Sequence, residues 1–383
     1  MHARNAFSHD PRRAAENRAR TIRSWLIVLA FVLLVGGVLL FFSRSGETTS
    51  MTATRLTCYS EQYVTPFGEN VLYYDGTTLT CLKANGALEW NFTVGSDASF
   101  ACSNTHVAAW VGTQLYILDS RGRATYNDSL SNTIQFARVG DRYVAIVVGD
   151  ETNPQLIIKD LQGAQVDEES AAFSHNMLMD VGFYGEEGQY MWTLSMDVYS
   201  TAVNMILHTF QVGKMNTGEV SLGEKLVYNV LFENKRLRVF STQQMYTYDY
   251  KAIQDTSSGA LIYGWKLIDH YLPARGDANM LLMPISQSQS TTSMNQLRLI
   301  TGSDDRRFTL PTTCVGATVY GGSIFGFSGR YTYRTDVGHQ QFYPYEIPLP
   351  QGVEVTGFLG RTTNGYALLA CGEQVYSLAL PIK

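Results

Sequence analysis

The sequence VLYYDGTTLTCLKANGALEWNF, Val71 to Phe92, returns without a gap 36 positions later as VAAWVGTQLYILDSRGRATYND, Val107 to Asp128. Gly76 falls on Gly112, Leu79 on Leu115, Leu82 on Leu118, Gly86 on Gly122 and Trp90 on Tyr126. Apolar residues, turn residues and the closing aromatic all keep their places. Three short apolar runs, two tight turns and a period near 40 residues describe an antiparallel four-stranded sheet, a unit that cannot bury both faces alone and must stack on copies of itself. The predicted architecture is all-β, a β-propeller.

The rest of the chain divides by the same turn residues. Blade one is expected from about Tyr63, blade two from Ser99, blade three from Ile134 and blade four from Met177. Blades five to eight are expected from about Leu226, Leu267, Val315 and Val353. Alternation of Met205, Leu207 and Thr209 against Ile206 and His208 fits a strand rather than a helix. The polar run Gln287 to Ser293 reads as a loop. Roughly 330 residues at roughly 40 per blade make about eight blades, with seven as the rival count if two weaker segments merge. On the eight-blade count the chain ends one strand short, after Gln374 to Leu380, while Ala53 to Tyr59 (ATRLTCY) precedes blade one with no sheet of its own. Pairing these two segments would close the ring and cover an exposed edge.

Trp25 to Phe42, WLIVLAFVLLVGGVLLFF, carries no charge. As a helix it spans roughly 27 Å, close to the hydrocarbon thickness of a bilayer. Its Leu, Ile, Val and Phe residues contribute on the order of −4 to −8 kcal/mol to insertion, enough to offset Gly36 and Gly37. Six arginines precede it and Arg44 alone follows closely, so the positive-inside bias keeps the N-terminus in the cytoplasm and exports the remainder. Phe41-Phe42-Ser43-Arg44 offers no small-x-small cleavage site, so the reading is an uncleaved signal anchor. The expected organisation is a basic cytoplasmic tail over 1–24, a transmembrane helix over 25–42, a linker over 43–52 and an extracytoplasmic propeller over 53–383.

The total charge of −5 hides a split: the first 50 residues carry a local +4, which leaves −9 for the rest. An acidic globular part disfavours nucleic acid as a partner. The five cysteines, Cys58, Cys81, Cys102, Cys314 and Cys371, match no metal or haem spacing and read mainly as small core side chains, with a disulfide outside the cytoplasm left open by the sequence.

The segment LYYDGTTLTCLKANGALEWNF resembles the repeat of the quinoprotein-type (PQQ-like) β-propeller superfamily: a strand, a glycine turn, a strand, an Asn-Gly turn and a Trp-containing outer strand. Blades one and two match well, three and eight moderately, and four to seven in outline. Tryptophan stands at the outer-strand place once, Trp90, with Tyr126 replacing it in blade two, which argues against regular tryptophan docking between blades. The basic tail, span and propeller together also look like single-pass bacterial envelope proteins, a setting that implies no reaction. Enzymes resembling the repeat hold a quinone and calcium with adjacent cysteines and a stacking Trp. No Cys-Cys pair and no CxxCH is present here, so no cofactor is expected.

Catalytic signatures are thin. Gly326 to Arg330, GFSGR, lacks the GxSxG spacing that presents a nucleophile. His106, His175, His208, His270 and His339 form no ligand pair, and no metal site is expected. The acidic pairs Glu168-Glu169, Glu186-Glu187 and Asp304-Asp305 fall in expected loops and read as solvated turns. Tyr246, Tyr248 and Tyr250, then Tyr331 and Tyr333, then Tyr343 and Tyr345, alternate on strand faces, where they either pack between blades or rim the channel as an amphipathic platform. The reading that follows is a membrane-tethered, extracytoplasmic, non-catalytic binding or scaffolding module, with an envelope protein or peptide as its expected partner. The alternative is an envelope enzyme acting on a glycan or peptide with carboxylates from blade loops; a sensor working through its short tail would need a partner to relay the signal.

Overall fold

A computed structural model describes residues 51–382, apart from 198 and 286–292. The tail, the span over 25–42, the linker up to residue 50 and all but the last residue of the Gln287–Ser293 loop lie outside the described residues. Among the described residues no helix is long and apolar enough to cross a membrane. They form eight antiparallel four-stranded sheets arranged as the blades of a propeller, so the count of eight holds over that of seven.

Blade one runs through Tyr63–Phe67, Asn70–Tyr74, Thr78–Lys83 and Leu88–Thr93, from the innermost strand outward. Blades two to seven begin their innermost strands at Ser99, Ile134, Asn176, Val227, Trp265 and Gly316. In blade eight the order from the inside is Gly357–Arg361, Tyr366–Cys371, Gln374–Ala379 and then Ala53–Tyr59. The first strand of the described chain thus completes the last blade, with Ala53 opposite Leu378 and Tyr59 opposite Gln374.

Packing follows from period-two alternation. The buried apolar residues sort into eight clusters, and each lies between two successive blades. The cluster at the seam joins Leu56 and Cys58 of the first strand to Val64, Val71 and Tyr73 of blade one and to Leu368 and Val375 of blade eight. All five cysteines are unpaired. Burial pushes their thiols up, to about 11 for Cys58 and Cys371 and about 12 for Cys81, Cys102 and Cys314, which keeps them protonated and apolar.

The repeated glycines have a second use beyond their turns. Trp90 of blade one lies against Gly122 of blade two, where a Cβ would come within 2.5 Å of the ring, and its indole N–H donates to Ser120 O at 2.9 Å. Tyr126 of blade two lies in the same way against Gly163 of blade three, where an added Cβ would meet the ring at 1.9 Å. At the seam, Thr54 and Leu56 sit 3.4 and 3.8 Å from the corresponding position on Gly86. As the single outer-strand tryptophan indicated, regular tryptophan docking is not the rule; Tyr126 in blade two, and Thr54 with Leu56 at the seam, take the place of the indole over the glycine. Gly163 also holds φ +87°, a left-handed conformation. Gly163→Ala is expected to cost roughly 1–3 kcal/mol through strain and displacement of the Tyr126 ring, read as a lower urea midpoint.

Candidate binding surface

The innermost strands are laced to one another by charge. Arg138 of blade three bridges Asp180 of blade four at 2.9 Å. Asp269 of blade six accepts from Thr318 Oγ1 and, at 3.0 Å, from the Val319 N–H of blade seven. Arg361 of blade eight donates to the same Thr318 Oγ1 at 3.0 Å and to His270 O at 3.3 Å, with its guanidinium 4.8 Å from the centre of the Tyr320 ring. Burial raises the Asp180 carboxyl and the Arg138 charge partly offsets this. Burial lowers His270, with Arg361 adding to the effect and Asp269 opposing it. These groups are committed to each other across blade boundaries, so their chemistry holds the ring together.

Register shifts on five innermost strands set this up. The pairing skips a residue between Ile134 and Phe136, Leu178 and Asp180, Val227 and Asn229, Leu267 and Asp269, and Phe358 and Gly360. A bulge turns the following side chain, and in blades four and six that side chain is Asp180 or Asp269.

The up-and-down order of the strands gives the ring two distinct sides. The upper side, where innermost strands begin, carries the connections between second and third strands and between blades. The lower side carries the turns between first and second and between third and fourth strands. Blades four to six place exposed apolar side chains in succession on the upper side: Tyr199 and Val203, then Leu226, Leu261 and Tyr263, then Ile285. Tyr263 is 71% and Leu261 69% exposed. A cavity of about 590 Å³ opens along the same arc, lined by Leu222 to Leu226 and Ser241 to Gln243. A second, of about 310 Å³, is walled by Leu267, Ile268, Met283, Met294 and Phe358.

The lower side holds a smaller aromatic recess of about 260 Å³ between blades four and five. Tyr184 and Tyr190 stack at 5.4 Å, Phe232 lies 5.2 Å from Tyr184, and Tyr250 closes the box 6.3 Å from Tyr190. Glu186 and Lys235, both on the rim, face each other at 3.8 Å.

The tyrosines singled out in the sequence separate. Tyr246 and Tyr248 are buried between blades four and five, whereas Tyr250, 45% exposed, lines the lower recess. Tyr331 and Tyr333 lie on the third strand of blade seven, and Tyr343 and Tyr345 on its fourth. None is on an innermost strand, so the channel is not their place. The acidic pairs do not converge. Glu168-Glu169 end the outer strand of blade three, Glu186-Glu187 sit in the inner turn of blade four, and Asp304-Asp305 open the outer strand of blade six. The upper arc is invisible in the sequence because its residues fall in connections, where no alternation marks an apolar side chain as exposed.

No protein-family model matches the sequence, and no curated protein matches it. Among solved structures, the chain is similar to Sqt1 of Saccharomyces cerevisiae, with a TM-score of 0.56 at 9% identity over 87% of this chain and 100% of that one. It is also similar to BamB from Moraxella catarrhalis, at 0.49 and 12% over 87% of this chain and 98% of that one. A third similar structure is apo AztD from Citrobacter koseri, at 0.47 and 13% over 75% and 86%. The Sqt1 likeness speaks to the fold, and with the sheet topology it defines the class: the chain is an eight-bladed β-propeller.

Proposed function

We propose that this propeller is a non-catalytic binding module of the cell envelope, a degenerate relative of the quinoprotein-type repeat, tethered through residues 25–42 with residues 1–24 in the cytoplasm. Its partner is an extracytoplasmic protein or peptide that docks on the upper side. The observation that carries this reading is the arc from Tyr199 to Ile285. Large apolar side chains following one another along this arc cost solvation free energy at about 25 cal/mol per Å² until something covers them, and they match the composition of the centre of a protein interface. The 18 uncharged residues from Trp25 support the tether.

The test places a photo-crosslinking amino acid at position 263 on the upper side, or at position 88, 59% exposed on the lower side, in intact cells. A discrete partner is expected from 263 and not from 88. The pair Leu226→Asp and Leu261→Asp is expected to reduce capture at 263 by roughly tenfold, equivalent to about 1.4 kcal/mol of binding, with an unchanged Tm. Equal capture from both sides, or capture indifferent to the two aspartates, would sink the reading.

A further inference from the structure

Blade four carries a row of polar side chains where it packs on blade three. Thr193 of its second strand (Tyr190–Asp197) is registered opposite His208 of the third (Asn204–Gln211), and His208 is registered opposite Glu219 of the fourth. Cross-strand partners share a face, so the three side chains stand side by side, and Ser195, two residues from Thr193, joins them. Their face is the one turned to blade three. Met191 and Phe210, flanking the row at the same alternation, pack with Val147, Leu156 and Ile158 of that blade and with Phe173. Leu194 and Leu207, between them in sequence, pack towards blade five.

A threonine, a histidine and a glutamate in line have the composition of a nucleophile, a base and an orienting group. The geometry denies that use. Thr193 and Ser195 are fully buried and His208 is 3% exposed, with no approach for a substrate, and Thr193 makes no hydrogen bond to the ring. What the row does have is three buried polar atoms without a hydrogen-bond partner: Thr193 Oγ1, Ser195 Oγ and His208 Nδ1. Native proteins rarely bury such groups unsatisfied, and where several share one small space, ordered water joins them.

The chemistry of each atom is determined by its neighbours. His208 Nε2 lies 3.3 Å from Glu219 Oε2, whose side chain is 59% exposed, so Nε2 carries the ring proton and Nδ1 presents a lone pair. Burial favours the neutral ring, against the opposing charges of Glu219 and Glu169. The ring itself is fixed, edge-on to Phe173 at 6.0 Å and stacked with Phe210 at 5.9 Å. The row therefore offers one acceptor and two hydroxyls that each give and take, the complement of water.

We propose that the boundary between blades three and four is an internal water-binding site, in which about one or two ordered molecules donate to His208 Nδ1 and exchange hydrogen bonds with the hydroxyls of Thr193 and Ser195. A water so held keeps the ring in its Nε2–H form and lets a polar row run through an otherwise apolar boundary.

Two measurements on the full chain in detergent test this. In a crystal structure that resolves single waters, density is expected at about 2.7–3.2 Å from Nδ1 and from Thr193 Oγ1. Absence of such density, with the three atoms bonded to each other or to protein, overturns the proposal. Thr193→Val gives an independent reading through the sign of the change. It removes a hydroxyl while keeping the shape, so it lowers Tm by about 1–3 °C if that hydroxyl holds a water, whereas it raises Tm or leaves it unmoved if the hydroxyl is bare. A rise or no change also overturns the proposal.

Discussion

Glu233→Ala is expected to destabilise the propeller by about 3–5 kcal/mol, seen as a marked fall in the urea midpoint at unchanged slope. The reason is what the carboxylate leaves behind. Glu233 ends the innermost strand of blade five with its side chain 2% exposed. One oxygen accepts from Arg238 Nε at 3.0 Å and the other from the Ala278 N–H of blade six at 2.6 Å, so one side chain ties two blades. Arg238 is itself buried, and its other bonds, from Nη1 to Thr247 Oγ1 at 2.7 Å and Ser258 O at 2.9 Å, do not neutralise its charge. Removing Glu233 strands a cation in the core.

The same pair accounts for an irregularity. The fourth strand of blade five is reduced to Ala260–Leu261. The segment before it crosses the open edge of the third strand, held by Asp255 N–H to Thr247 O at 2.8 Å and by the Arg238 and Thr247 bonds to Ser258 O. Arg238 thus replaces part of a missing strand with side-chain hydrogen bonds. Replacing both members with apolar residues of similar size, Glu233→Leu with Arg238→Met, is expected to recover much of the loss at the charge pair, since well-packed hydrocarbon substitutes for a buried ion pair. A single-variant loss below about 1 kcal/mol would show that water reaches Arg238 and that the pair is a surface feature.

How far the sequence revealed this molecule depends on the range of each interaction. Gly76, Gly86, Gly112 and Gly122 mark turns through backbone conformation alone, and all four hold positive φ, which is why the blades could be placed within a few residues. The alternation of Met205, Leu207 and Thr209 against Ile206 and His208 is likewise a property of one strand. Ala278, which ties Glu233 to blade six, and Thr318, which meets both Asp269 and Arg361, lie on other blades at separations that leave no periodic trace. Tyr126 was legible as an outer-strand aromatic, but its docking on Gly163 was not, because that needs the stacking geometry of two repeats. The upper arc is the extreme case: Tyr263 and Ile285 have the composition of core residues, and only the fold shows them exposed.

Removing residues 53–59 is expected to have a larger effect than any single substitution. Ala53–Tyr59 is the outermost strand of blade eight, and its loss leaves the Gln374–Ala379 edge with unpaired backbone groups. It also takes Leu56 and Cys58 out of the cluster that joins blade eight to blade one, along with the Arg55 bond to Gln374 Oε1 at 2.7 Å. A ring differs from an open stack in that this one boundary closes all the others, so weakness there opens a gap that strains its neighbours in turn. The deletion variant, with residue 52 joined to residue 60, should melt well below the intact chain and associate through its bare edge, read by size-exclusion chromatography in the same detergent. A synthetic peptide of sequence ATRLTCY should restore much of the Tm and the elution position of the intact chain, because the groove it enters keeps its hydrogen-bonding register with Ser377 and Leu378. A deletion variant that eluted like the intact chain at an unchanged Tm would mean that the third strand of blade eight suffices to close the ring.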